Sequence, residues 1–334
     1  FGNGELYVER FLPRARHVEV QILGDRAGHV RHLWERECSL QRRQQKLVEI
    51  APSPGLAPDL RERLIAAALR MATEIRYDGL GTFEFLLDAN VAADARRGSV
   101  DEAFFFIEAN PRLQVEHTVT EEVTGVDLVQ VQLRLAAGAS LAELGLADPP
   151  LPRGLAIQLR INMERMQADG NATPAGGTLS VFEPPSGPGI RIDTLAYDGY
   201  TMSPRFDSLL AKLVVRSSSC ELRDLLARAA RALGELRIEG ISTNAAFLQA
   251  LLRHPAVARN EVDTRFVETH AAELLAAADG ERRSSEPAEN TGTSPRRTGP
   301  GACIDPVDPL YKTSPLTLDQ PGQSSLGIGS TNCR

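Results

Sequence analysis

Two stretches, Thr82-Phe83-Glu84-Phe85-Leu86 and Phe105-Phe106-Ile107-Glu108-Ala109-Asn110, decide how this chain folds. Successive side chains of a strand point to opposite faces, so Phe83, Phe85 and Leu87 share one face and Glu84 takes the other. In the second stretch Glu108 and Asn110 share a face. Antiparallel pairing around the loop at 89–102 has its midpoint near Arg96, which sets Glu84 opposite Glu108. Like charges directly opposed in a half-buried sheet destabilise it unless something neutralises them. A hard divalent cation does so, and two carboxylates with an amide oxygen suit Mg²⁺ or Mn²⁺. In the other reading the register differs and Glu84 faces solvent, as glutamates usually do.

The next residues, Asn110-Pro111-Arg112-Leu113-Gln114-Val115-Glu116-His117, bring a guanidinium, an amide and a further carboxylate to alternating positions. An arginine fork beside a metal suits a small oxyanion such as carboxylate, bicarbonate or phosphate. Glu116 is then a candidate general base; the plainer reading is a helix-entry ion pair with Arg112. Upstream, residues 35–46 concentrate charges and amides, consistent with a phosphate-binding loop or with a solvated charged turn. Lys46 favours function, being one of only three lysines, with Lys212 and Lys312. In Ile157-Gln158-Leu159-Arg160-Ile161-Asn162 the polar residues alternate with apolar ones, giving a face that lines a cleft or meets solvent. His29, His32, His254 and His270 read as surface residues.

A length of 334 residues corresponds to about two domains. With 42% hydrophobic and 24% charged residues the chain has the make-up of an ordinary globular protein. The 37 basic against 44 acidic residues give a net charge of -7, which argues against nucleic acid or an anionic membrane as partner. No apolar run approaches the ~18 residues of a membrane span. The four cysteines contain no C-x-x-C pair, which favours a reducing, cytoplasmic setting. The chain starts at Phe1 and reads as a fragment.

Strands are expected at 6–12, 18–22, 30–34, 82–88, 103–109, 155–163, 178–182, 190–195 and 209–216. Pro58 opens a helix whose apolar stripe is Leu60, Leu64, Ala68, Met71 and Ile75. Thr118 and Glu121 read as a capping box for a helix reaching Gly138, with further helices at 221–236 and 244–253. The Pro-rich segment 148–152 connects two domains, 1–147 and 148–279. The tail at 280–334, rich in Ser, Thr, Pro and Gly, reads as disordered. Hairpins mixed with helices in this way point to an α+β fold, and no G-x-G-x-x-G opens a helix to suggest a dinucleotide site.

Taken together, several segments resemble the biotin carboxylase family of the ATP-grasp superfamily. They are Arg16-His17-Val18-Glu19-Val20-Gln21, residues 35–43, Gly81-Thr82-Phe83-Glu84-Phe85, residues 106–117 and Arg160-Ile161-Asn162, and their order agrees from about Gly4 to His270. The resemblance implies the C-terminal part of an ATP-grasp domain followed by a biotin carboxylase C-terminal domain. It implies that Glu9 and the backbone to Leu12 hold adenine, that His17, Gln41 and Gln44 approach the ribose, and that Lys46 joins nucleotide binding. Glu84, Glu108 and Asn110 would serve the Mg²⁺/ATP site. Arg112, Gln114 and the Val115 backbone would hold bicarbonate, Glu116 would deprotonate it, and Arg160 would stabilise enolate-like biotin.

The implied chemistry is attack of bicarbonate on the ATP γ-phosphate to give carboxyphosphate, then carboxylation of biotin N1′. Many relatives have His where Gln44 stands; an amide also hydrogen-bonds a hydroxyl. The family's glycine-rich lid and its two lysines would precede Phe1, so negligible turnover is expected of this chain alone. Residues 164–167, 178–179 and 184–189 look more like long multidomain acyl-CoA carboxylases than the free-standing subunit. Implied partners are a biotin carboxyl carrier, a carboxyltransferase, the preceding half of the enzyme and further copies of it in a homo-oligomer. Tyr311-Lys312-Thr313 lacks the Met-Lys-Met setting of a biotinylated lysine, so biotin would come on a carrier elsewhere. The alternatives are a pyruvate or urea carboxylase component, a carbamoyl-phosphate synthase-like ligase, and a non-catalytic assembly module.

Overall fold

The computed structural model describes residues 4, 6, 8, 10–89, 103–203 and 206–285. Its frame is one eight-stranded sheet in which every neighbouring pair is antiparallel. Five strands come from the first part of the chain: β1 (Ala15–Gly24), β2 (Val30–Arg42), β3 (Gln45–Ala51), β4 (Gly79–Asp88) and β5 (Phe104–Asn110). A sixth, β6 (Leu155–Asn162), pairs with β3, aligning Val48 with Leu159 and Ile50 with Ile157. Beyond β6 lie the strands Leu209–Ser217 and Ile190–Thr194. Three two-stranded ribbons, such as Glu164–Met166 with Ala172–Pro174, decorate this end.

β1 is buried along its whole length, because both of its faces are covered. Val18, Val20 and Ile22 pack with Phe83, Phe85 and Leu87 beneath helix α1 (Pro58–Glu74), which contributes Leu60, Leu64 and Ala68. The opposite face carries His17, Glu19 and Gln21, where charge must be matched by charge. There the buried Arg36 of β2 binds Glu19 and donates to Gln21 Oε1 (2.8 Å) and Thr120 Oγ1 (3.0 Å). Thr120 belongs to α2 (His117–Thr124), which lies over this face. A second core spans β3, β6 and Leu209–Ser217 under the helices Leu222–Glu235 and Ala245–Arg253. It takes Leu40 and Leu47 from the first part of the chain and Leu159 and Leu248 from the second, so apolar packing crosses the connection at 147–154.

Several expectations are corrected. The described residues of 6–12 form no strand; Leu12 lies in irregular chain, and the strand begins at Ala15. The stretch at 35–42 is not a loop but continues β2, and only Arg43 and Gln44 turn, with φ of 45° and 65°. Positive φ at both central residues is the hairpin turn that matches strand twist. Ile75 does not bury; it follows the last turn of α1 and is 63% exposed. Thr118 does not cap a helix: α2 already begins at His117, and the Thr118 hydroxyl donates to Gln158. Gly125 ends α2 at φ 74°, and a separate helix, α3 (Leu128–Ala136), starts with Asp127 accepting from the Gln130 N–H. Residues 178–182 divide between two short strands. His254 and His270 are half-buried against Phe266 rather than on the surface. No helix among the described residues is long and apolar enough to cross a membrane. Of the tail expected to be disordered at 280–334, residues 280–285 instead continue the helix Ala271–Ser285, and 286–334 lie outside the described residues.

Leu159 is fully buried at the seam between β3 and β6, so Leu159→Ala costs about 2–5 kcal/mol. Because one sheet joins both parts, the fluorescence of Trp34, the single tryptophan, and far-UV circular dichroism will report the same denaturation midpoint. A midpoint for Trp34 that ignores the substitution would refute that unity. Glu37 supplies an acid limb. Burial pushes its carboxyl up, but Arg16 at 2.5 Å, with Ser39 and Ser53, outweighs burial and holds it below the usual range. A lowered native value stabilises the fold above an ordinary glutamate's pKa of about 4.3 and loses that contribution as pH falls further. Denaturant midpoints measured downward from about pH 4 should therefore decline less steeply in Glu37→Gln than in the parent.

Candidate active site

The sheet places a cleft of about 1000 Å³ where β1, β3, β4, β5 and β6 converge with the turn at 110–116. Its walls include Leu12, His17, Gln41, Gln44, Lys46, Glu84, Glu108, Asn110, Arg112, Gln114, Val115, Glu116 and Arg160. Residues separated by nearly 150 positions thus meet in one space. Of the residues expected at a site, only Glu9 lies outside the described residues.

Lys46, on β3, is the hub. Its ammonium reaches Glu19 and Glu116 at 2.5 Å and Glu84 at 3.2 Å. Arg160 approaches from β6, binding Glu116 at 3.0 Å and Glu49 at 2.5 Å. Glu116 therefore pairs with Lys46 and Arg160 and not with Arg112, which removes the helix-entry pair as its role. Burial opposes charge on Lys46 and on Arg160, but the surrounding carboxylates win and raise both values well above normal. Burial likewise pushes Glu84 up, yet the His17 hydrogen bond and the Lys46 ammonium outweigh it and hold the carboxyl well below the usual range. For Glu49, burial prevails and raises the carboxyl despite Arg160.

The hairpin register is the one anticipated: Glu84 stands opposite Glu108, with a bulge immediately after it. Glu84 is nearly buried, whereas Glu108 is open to solvent. The Asn110 amide donates to Glu84 (2.9 Å) and to Glu108 (3.0 Å), bridging the two carboxylates. Hard oxygen donors converging at the cleft edge fit Mg²⁺ or Mn²⁺, and an amide can present its oxygen to the same point by turning over. Gln114 donates to Glu84 at 2.8 Å, leaving its own Oε1 buried and without a partner.

Arg112 is exposed at the cleft wall, and its guanidinium meets no carboxylate among the described residues. Val115 lines the same cleft, while Gln41 reaches His17 at 3.5 Å and Gln44 occupies the hairpin tip. Glu19 and Glu49 were not singled out as site residues from sequence. Both alternate with apolar neighbours, as on an ordinary half-exposed strand face, so their burial is not readable from sequence. Lys212 and Arg191 were missed too, since their partners lie far away in the chain.

Comparison with known proteins agrees with this geometry. Residues 1–144 match the family model described as carbamoyl-phosphate synthase L chain, ATP binding domain, and residues 158–269 match the biotin carboxylase C-terminal domain. Pyruvate carboxylase 1 of Caenorhabditis elegans is 46% identical over 81% of this chain and 22% of its own length. The biotin carboxylase of a Nostoc species is 46% identical over 80% of this chain and 56% of its length. A solved structure of the biotin carboxylase domain of a single-chain bacterial carboxylase superposes with a TM-score of 0.73 at 50% identity, covering 82% of this chain and 60% of that one. The chain thus spans about a quarter to somewhat over half of these curated relatives. Residues 1–144 and 158–269 thus carry, in order, an ATP-binding domain and a biotin carboxylase C-terminal domain, in an architecture shared with a solved biotin carboxylase domain.

Proposed function

We propose that this chain forms the bicarbonate-activating wall of a biotin carboxylase within a larger biotin-dependent carboxylase. The observation that carries this reading is Glu116, a carboxylate 2% exposed at the cleft and held from two sides by Lys46 and Arg160, with the exposed Arg112, whose guanidinium meets no carboxylate among the described residues, in the same cleft. A planar guanidinium takes a planar oxyanion through two parallel hydrogen bonds, and bicarbonate is such an anion. Gln114 and the Val115 backbone complete its enclosure.

Glu116, although ion-paired, keeps unused lone pairs on its oxygens and accepts the bicarbonate proton. The bicarbonate oxygen then forms a bond to the γ-phosphorus of ATP as the bond to the ADP oxygen breaks, giving carboxyphosphate. Glu84, Glu108 and Asn110 would hold Mg²⁺ or Mn²⁺, which when bound offsets the charge of the phosphates. Leu12, His17, Gln41 and Gln44, together with Glu9, would position the nucleoside, and Lys46 the charged phosphates. Biotin, delivered on a separate carrier domain, would supply the nitrogen that is carboxylated. Arg160, anchored by Glu49, would stabilise the enolate-like biotin. Fixed charges of this kind stabilise charge developing on transferred groups without reorganising.

The acceptor resides in a partner carboxyltransferase. Residues 164–167, 178–179 and 184–189 favour an acyl-CoA acceptor, but likeness to a pyruvate carboxylase supports a 2-oxoacid acceptor at least as well.

Two measurements test the site. ¹³C-bicarbonate binding followed by NMR should be saturable for the chain and weaken about tenfold to a hundredfold in Arg112→Ala, the value of a charge-assisted bidentate contact. Equal binding by both proteins would refute the oxyanion site. Mn²⁺ titrated in the presence of ADP, read by electron paramagnetic resonance, should bind more weakly in Glu84→Gln and in Glu108→Gln, and removal by chelator should leave the fold intact. Undiminished Mn²⁺ affinity in both variants would remove the metal assignment.

A further inference from the structure

We infer that Lys212 is a positioning residue for the bicarbonate site: it grips the Val115 carbonyl from the strand beside Arg160 and so fixes the peptide from which Glu116 projects. The inference rests on the bicarbonate reading above and adds a residue to it. Lys212 Nζ donates to the Val115 oxygen at 3.2 Å and pairs with Asp193 at 3.0 Å. Its side chain is only 12% exposed. The strand register sets Lys212 directly opposite Arg160 on one side and Asp193 on the other. Two cations opposed across a ladder destabilise a sheet, so stability alone does not account for the pair. What they share is a target: Arg160 binds the Glu116 carboxylate while Lys212 binds the carbonyl of the residue before it.

The clamp is itself braced. Asp193 accepts from Arg191 Nε at 2.8 Å, and Arg191 also pairs with Glu121 of α2 at 2.7 Å. Helix α2 begins immediately after Glu116, which occupies its N-cap without a side-chain cap bond. Thus the sheet holds the 115–116 peptide from below and the following helix from the side. A carboxylate that must take a proton from a small anion depends on sub-ångström placement, and a fixed peptide provides it.

The test uses the full chain with ¹³C-bicarbonate as probe and Mn²⁺ with ADP as the control ligand. Lys212→Met should raise the bicarbonate Kd about tenfold, equivalent to roughly 1.4 kcal/mol, while leaving Mn²⁺–ADP affinity unchanged. Lys212→Arg, which keeps a cationic donor, should restore most of the binding. If Lys212→Met does not fold, Lys212→Gln, which keeps a neutral donor, carries the comparison, with an intermediate Kd expected. A bicarbonate Kd unchanged in Lys212→Met (or Gln) while Arg112→Ala loses binding overturns the Lys212 assignment alone. Equal weakening of both ligands overturns it in favour of a purely structural role. Absence of bicarbonate binding by the parent chain overturns the bicarbonate reading, and the Lys212 role with it.

Discussion

The ammonium of Lys46 lies among three carboxylates, and the rest of the site is arranged around that contact. Glu19 comes from β1, Glu84 from β4 and Glu116 from the entry to α2, so one side chain draws together three elements. Ions removed from water are costly unless their partners replace hydration, and three anions around one cation would still repel one another. The surplus is taken up by Arg36 on Glu19, Arg160 on Glu116 and hydrogen bonds from His17, Asn110 and Gln114 on Glu84. Because Arg36, Arg160, His17 and Asn110 each come from a different strand, the charge cluster and the sheet order are mutually dependent.

That dependence explains why one sheet crosses both halves of the chain. Glu116 belongs to the first half and Arg160 to the second, and the β3–β6 ladder brings β6 alongside Lys46. Were the halves joined only by a flexible connection, the distance between Arg160 and Glu116 would vary, and with it the field at the proton acceptor. Apolar residues on the other side of the seam, such as Leu47 and Leu159, hold that distance. Packing on one face of the sheet thus sets electrostatics on the other.

The hairpin was legible because its pairing is local arithmetic. A loop midpoint near Arg96 and strand period two pair Glu84 with Glu108, and the ladder keeps that register up to the bulge after Glu84. The run from Asn110 to His117 was legible as a cluster because its donors are adjacent in sequence and emerge from one strand end. By contrast, Glu19 and Gln21 looked like one polar strand face, and only the packing of α2 against it buries them with Arg36. The capping box was misread because Thr118 faces Gln158, forty residues on, rather than its own helix start. The assumed strand at 6–12 followed propensity alone, without a partner in register.

Sequence by itself therefore determined the strand periods, the carboxylate hairpin, the order of family motifs and the residue types available at the cleft. Tertiary structure alone decided which charge neutralises which: Lys46 with Glu116, Arg160 with Glu49, Lys212 with Asp193 and the Val115 carbonyl. The reason is that side-chain alternation and turn closure act over neighbouring residues. Coulomb interaction and desolvation instead depend on separation in space and on local dielectric, neither of which exists until distant strands have packed.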